Sequence, residues 1–245
     1  MTNLIEESRL GHLENVAKLL KEKTDVNQVN NDGDSSLMFA SAGGHAEIVK
    51  LLLEHNANIN QVNNDGDSSL MFAYSHLKIV KLLLEHKANV KQVNNDGNSS
   101  LILASYRGNL EIIKKLLKAG ANVNRTNNYG DSSLINASRN GHLEVVKLFL
   151  KAGARVNHVN NDGNSSLILA SYNNNLDMVK LLLEYKADVN HVNNVGDTPL
   201  TVASKKGYLK IVKELLKVKS LVREYNQLKT YPKPVLDLIF PEVKK

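Results

Sequence analysis

Across residues 110–119 the apolar positions Leu110, Ile112, Ile113, Leu116 and Leu117 fall on one side of a helical projection, and Glu111, Lys114, Lys115 and Lys118 fall on the other. That spacing predicts an amphipathic helix. Gly120 ends it, because a glycine takes the positive-φ conformation of a helix C-terminus without a Cβ clash. A second, shorter helix is predicted over 99–107, with Leu101 and Ala104 one turn apart and Gly108 as its break. Helices of about ten residues are marginal alone in water. Each such pair must bury its apolar stripe against another element.

The other element is another copy. Residues 61–70 repeat 28–37 letter for letter, 33 positions later, as Gln-Val-Asn-Asn-Asp-Gly-Asp-Ser-Ser-Leu. Near-copies start at Gln92, His158 and His191, and a looser one at Arg125. Aligned on the turn glycines, the repeats run 31–63, 64–94, 95–127, 128–160, 161–193 and 194–226, all of 33 residues except the second, which has 31. Residues 1–30 match the later part of a repeat without its leading turn. A period of this length marks a stack of small units in place of one globular core. In repeat 64–94, Ala73-Tyr74-Ser75-His76-Leu77 stands where repeat 31–63 has Ala40-Ser41-Ala42-Gly43-Gly44-His45-Ala46. A shorter first helix or a tighter link is therefore expected there, with a gap beside Tyr74.

Composition narrows the function classes. With no cysteine there is no thiolate nucleophile, disulfide framework or cysteine metal site. No apolar run is long enough to cross a bilayer, and residues 1–7 lack the pattern of a secretory signal. The net charge of +6 is concentrated: residues 201–245 hold 11 Lys/Arg against 4 Asp/Glu, while the preceding 200 hold 20 against 21. Asparagine is abundant and lysines outnumber arginines 25 to 6, a bias typical of AT-rich genomes that carries little functional weight by itself.

The turn glycines Gly33, Gly66, Gly97, Gly130, Gly163 and Gly196, the Ser/Thr-x-Leu-x-x-Ala core, the Gly-His-Leu-Glu link, the Val-Lys-Leu-Leu-Leu helix and the Ala-x-Val-Asn exit together resemble the ankyrin repeat. The resemblance covers about seven repeats in residues 1–226, and Thr198-Pro199-Leu200 with Ala203 keeps the family's own wording. It implies an all-α ankyrin-repeat solenoid of antiparallel helix pairs with hairpin fingers, a partner protein docked on the concave face, and no cofactor, metal, small-molecule substrate or catalysis. The chain departs from the pattern where Met38, Met71, Ile102, Ile135, Ile168 and Thr201 occupy the usual histidine place. Helix starts then depend on Ser35, Ser68, Ser99, Ser132 and Ser165 as N-caps.

Candidate chemistry is sparse. The Asn-Asp-Gly segments hold oxygen ligands suited to calcium, but Leu37 or Leu70 stands where a calcium loop needs its bidentate glutamate. Turn formation accounts for the same residues. The histidines recur as equivalents: His12, His45 and His142 open second helices, His158 and His191 lie in exit segments, and His55 and His86 close second helices. No nucleophile–base set or phosphate loop accompanies them. Lys50, Lys81, Lys114, Lys147, Lys180 and Lys213 recur once per repeat, several with Glu47, Glu111, Glu144 or Asp177 three residues earlier. That balance reads as a solvated convex face rather than a nucleic-acid stripe.

Variation inside the fixed frame is more informative. First helices end in Ala42-Gly43, Tyr106-Arg107, Arg139-Asn140, Tyr172-Asn173 and Lys205-Lys206, and the finger-tip aspartates Asp32, Asp65, Asp96 and Asp162 give way to Tyr129 and Val195. The expected partner-binding set is Tyr106, Arg107, Tyr129, Arg139, Tyr172, Lys205 and Lys206, on one concave strip, since tyrosine and arginine dominate interface hot spots. Residues 227–245, with Val235, Leu236, Leu238, Ile239 and Phe240 between prolines, are expected to cap the open end of the stack. The reading is a monomeric scaffold or adaptor, cytoplasmic, or an effector of an intracellular microbe delivered into a host cell. The alternative is electrostatic attachment of the basic C-terminal end to nucleic acid or an anionic membrane.

Overall fold

The structure is a computed structural model that describes residues 3–218. The expected cap 227–245 lies outside the described residues, as does most of the basic C-terminal end. The chain divides into two compact units, Met1–Asn128 and Tyr129–Lys245. The first holds α1 Leu4–Leu10, α2 Leu13–Lys21, α3 Ser36–Ala42, α4 Ala46–Glu54, α5 Ser69–Phe72, α6 Leu77–Glu85, α7 Ser100–Arg107 and α8 Leu110–Lys118. The second holds α9 Ser133–Arg139, α10 Leu143–Lys151, α11 Ser166–Tyr172, α12 Leu176–Glu184, α13 Pro199–Lys205 and α14 Leu209–Leu216. Within each unit the odd-numbered helices stack on one another and the even-numbered helices form a second layer. The helices predicted over 99–107 and 110–119 are α7 and α8, each within a residue of its expected bounds.

Each stacked layer closes on apolar side chains at equivalent positions. Leu116 of α8 is 1% exposed, and its counterparts Leu52, Leu83, Phe149, Leu182 and Leu215 are fully buried. Met38, Met71, Ile102, Ile135 and Ile168 are buried as well. They fill the space between first helices, while the neighbouring serine supplies the cap. Ser35, Ser99, Ser132 and Ser165 each accept the backbone N–H three residues on, at 3.2–3.4 Å. Thr198 forms a reciprocal capping box with Thr201.

Ser68 breaks the expectation. Its side chain caps nothing, because the Met71 N–H is taken by the Ser68 carbonyl at 2.9 Å. This is the start of the four-residue α5, the helix expected to be short. The link is tightened too: His76 N–H bonds the Ala73 carbonyl three residues back, where His45 and Asn109 reach five back to Ala40 and Ala104.

The repeats are tied together by asparagine. In each finger the carboxamide oxygen of Asn30, Asn63, Asn94, Asn160 or Asn193 accepts two N–H groups of its own turn, for example those of Asp65 and Asp67 on Asn63 at 3.1 and 2.8 Å. The amide end donates to the base of the preceding finger: Asn63 to Asp34, Asn94 to Asp67, Asn127 to Asn98, Asn160 to Asp131 and Asn193 to Asn164, at 2.8–2.9 Å. The next residue adds a second rung, with Asn64 N–H on the Asp32 carbonyl and Asn64 Nδ2 on the Asn31 carbonyl. Such close approach requires the turn glycine. Gly33 sits at φ +79°, and a Cβ there would lie 2.8 Å from Asn64 Oδ1 and 2.9 Å from its backbone nitrogen. These asparagines therefore have a structural use beside any compositional bias.

Leu116→Ala should cost about 2–5 kcal/mol, from lost burial and the cavity left behind. Chemical denaturation checks this; a loss under about 0.5 kcal/mol, the scale of surface changes, would place the side chain outside the stack.

Candidate interaction surface

The ends of the first helices are where the frame stops dictating side chains. In the first unit, α7 ends with Tyr106, 53% exposed, and Arg107. The guanidinium of Arg107 lies 5.4 Å from the ring centre of Tyr74 and 5.9 Å from that of Tyr106. The site expected to gape beside Tyr74 is therefore bridged by Arg107. In the second unit, Tyr172 ends α11 at 52% exposure, with Lys206 Nζ 3.9 Å above its ring centre. Cation–π contacts of this kind contribute about 0.5–1 kcal/mol at exposed sites, enough to bias a ring's orientation. Tyr129, at the finger tip, is 63% exposed.

Two of the expected partner contacts are already engaged. Arg139 forks onto Asp131 at 2.7 and 2.8 Å and also donates to Asn136 Oδ1 at 2.9 Å. Asp131 is only 7% exposed, so this pair compensates a buried charge. Lys205 likewise bonds Asp197 in its own repeat. A signal for this lies in the sequence. In four repeats the residue after the turn glycine and the one eight positions later change together, Asp131 with Arg139 and Asp197 with Lys205, but Asn98 with Tyr106 and Asn164 with Tyr172, whereas Asp34 and Asp67 are followed by Ala42 and Ser75. In those four repeats a charged finger base takes a cation and a neutral one leaves the position to tyrosine.

The histidines hold backbone. Ring nitrogens of His45 and His76 bond the carbonyls of Arg9 and Ala42 in the preceding repeats, and those of His158 and His191 bond the turn carbonyls of Gly130 and Gly163, at 2.7–3.2 Å. His55 and His86 bond the Leu51 and Leu82 carbonyls of their own helices, both at 2.9 Å. His12 pairs with the buried Glu7, whose pKa is lowered by hydrogen bonds from Asn15 and then His12. On the outer helices Lys114 pairs with Glu111 at 2.6 Å as its spacing implies. Glu47 instead reaches Lys78 of the next repeat at 2.6 Å, because Lys78 stands where most repeats have an acid. Both pairs are exposed and contribute little stability.

Among the carboxylates of the finger bases, Asp67 is pushed above the ordinary aspartate value. Burial is the main cause, the Asn94 amide opposes it, and Asp65, Asp96 and Asp34 add like charge. A folded pKa above the unfolded one means the charged form costs stability. That cost is absent below the unfolded aspartate range, near 4, and complete above the folded value.

A family model described as Ankyrin repeats matches residues 4–94, 78–160 and 134–226. The chain is also similar in structure to the human ASB11 ankyrin repeat domain, known from a crystal structure. The TM-score is 0.79 at 28% identity, over 89% of this chain and 97% of that one. No curated protein compared with it matches.

Asp67→Asn keeps the acceptor for Asn94 and removes the charge. It should raise Tm by about 1–3 °C at pH 7, and the gain should fade as pH falls through the aspartate range. Melting curves at pH 7 and pH 3.5 test this; an equal gain at both would show that charge is not the cause.

Proposed function

The chain belongs to the ankyrin repeat family, whose repeats are generally protein–protein interaction modules, and we propose that it is a non-enzymatic scaffold that binds a partner protein through the exposed tyrosines at its first-helix ends. The observation that carries this reading is the pairing of half-exposed Tyr106 and Tyr172 with Arg107 and Lys206. A preset aromatic face loses little rotamer freedom when a partner covers it. The flanking cations favour an acidic or carbonyl-rich segment. Tyr129 extends the surface at a finger, whereas Arg139 and Lys205 act by holding Asp131 and Asp197 in shape. A role as a microbial effector rests on compositional bias and the habit of the family. The alternative, electrostatic attachment to nucleic acid or an anionic membrane, draws on the +7 charge of residues 201–245.

Replacing Tyr106 and Tyr172 together by alanine should leave Tm within about 1–2 °C and weaken partner binding by about 2 kcal/mol or more, the hot-spot scale. Calorimetry with a partner recovered by pull-down, alongside Lys114→Ala/Lys147→Ala on the outer helices, checks this. If the lysine pair matters more than the tyrosine pair, the working face is wrong. A steep loss of affinity with salt would favour phosphate-driven attachment.

A further inference from the structure

The asparagine ladder has a second rail along the exit segments, and it is interrupted once in the first unit. The carboxamide oxygens of Asn27, Asn60 and Asn157 accept the backbone N–H of Asn58, Asn89 and Asp188 in the following repeats, at 2.7, 2.8 and 2.8 Å. The equivalent of these acceptors in repeat 64–94 is Lys91, and the N–H it should receive is that of Asn122. An ammonium carries no acceptor, so this rung cannot form.

Three further changes coincide with the missing rung. The hairpin bridge seen at Val29–Ser35, Val62–Ser68 and Val159–Ser165 is absent between Val93 and Ser99, as it also is between Val192 and Thr198. Gln92 turns back onto the Val93 carbonyl at 3.1 Å, whereas its equivalent Gln61 reaches the preceding repeat at the Asn27 carbonyl. A cleft of about 340 Å³ opens, lined by Val90, Lys91, Ser99, Asn122 and Arg125. No carboxylate lines it. Arg125 is half-buried, and neither it nor Lys91 has an ion-pair partner among the described residues. Elsewhere the chain meets a half-buried guanidinium with a carboxylate, as Arg139 meets Asp131.

We propose that this cleft is a receptor for a peptide carboxylate, with Arg125 and Lys91 taking the charge and the freed Asn122 N–H taking one oxygen. Two cations in a walled cleft concentrate positive potential. A planar carboxylate matches the guanidinium fork in a way that a single ammonium cannot supply. Val90 provides an apolar wall for the methylene stem of an acidic side chain, which a free phosphate lacks. The source of the carboxylate, an acidic segment of a partner, rests on the function proposed above; the chemistry of the cleft does not.

The full chain, labelled with nitrogen-15, is titrated at pH 7 with N-acetylglutamic acid α-amide, with N-acetylglutamine amide as the uncharged control, and with inorganic phosphate. The Asn122 amide and Arg125 Nε–H resonances should shift and saturate with the glutamate compound and stay still with the glutamine compound. Lys91→Asn, which installs the residue that Asn27, Asn60, Asn124, Asn157 and Asn190 already show, should restore the rung. It should raise Tm by about 1–3 °C and weaken glutamate binding at least tenfold, as should Arg125→Gln. An absent or unsaturable shift, an equal response to glutamine, or undiminished binding in Lys91→Asn would overturn the proposal. Saturation by phosphate without glutamate would overturn the carboxylate assignment. Because the probe is a small molecule, failure here leaves the tyrosine surface to be judged by its own partner.

Discussion

The stack depends on one group used in two directions, the asparagine carboxamide at the start of each finger. Its oxygen closes the turn of its own finger, and its nitrogen donates to the base of the finger before. Aspartate would close the turn but has nothing to donate, and glutamine would misplace both ends by a methylene. Backbone groups that would otherwise face water at a repeat boundary are satisfied by the neighbour instead. That is how helix pairs too short to stand alone become parts of one structure. The glycine at the turn follows from the same contact, since the next asparagine occupies the space of a Cβ.

With the frame set by buried apolar rows, serine caps and these carboxamides, few positions are left to vary, and the variation has rules. Where the finger base is Asp131 or Asp197, the first helix ends in a cation that neutralises it. Where it is asparagine, the helix ends in an exposed tyrosine backed by a cation from its own or the next repeat. The same surface column therefore serves structure in one repeat and presentation in another. The exit rail behaves alike: Asn27, Asn60 and Asn157 hold it, and Lys91 gives up a rung for a cationic cleft.

Much of this was legible before any coordinates. Helix boundaries, the repeat register and the shortened α5 follow from hydrophobic spacing, glycine placement and a two-residue deletion, all of which act locally. Contacts between successive fingers were not legible. Asn63 and Asn94 read as turn formers because their second bond runs to a residue about thirty positions earlier, with no mark in the local pattern. Ser68 looked like its equivalents and fails as a cap because its helix begins with a tighter backbone bond. Arg139 and Lys205 looked like free interface cations, and only their pairing with Asp131 and Asp197 removes them from that class.

The central claim is that side-chain carboxamides, and not helix packing alone, hold each repeat to the last. Native-state amide hydrogen exchange reads this directly, residue by residue. The backbone amides of Asn58, Asn89 and Asp188, which sit in exposed loops but donate to carboxamides of the preceding repeat, should exchange slowly, with protection approaching that of the neighbouring helices. The Asn122 amide, whose acceptor is replaced by Lys91, should exchange at least tenfold faster. Equal and rapid exchange at all four would mean that the ladder does not persist in solution, and would contradict the account.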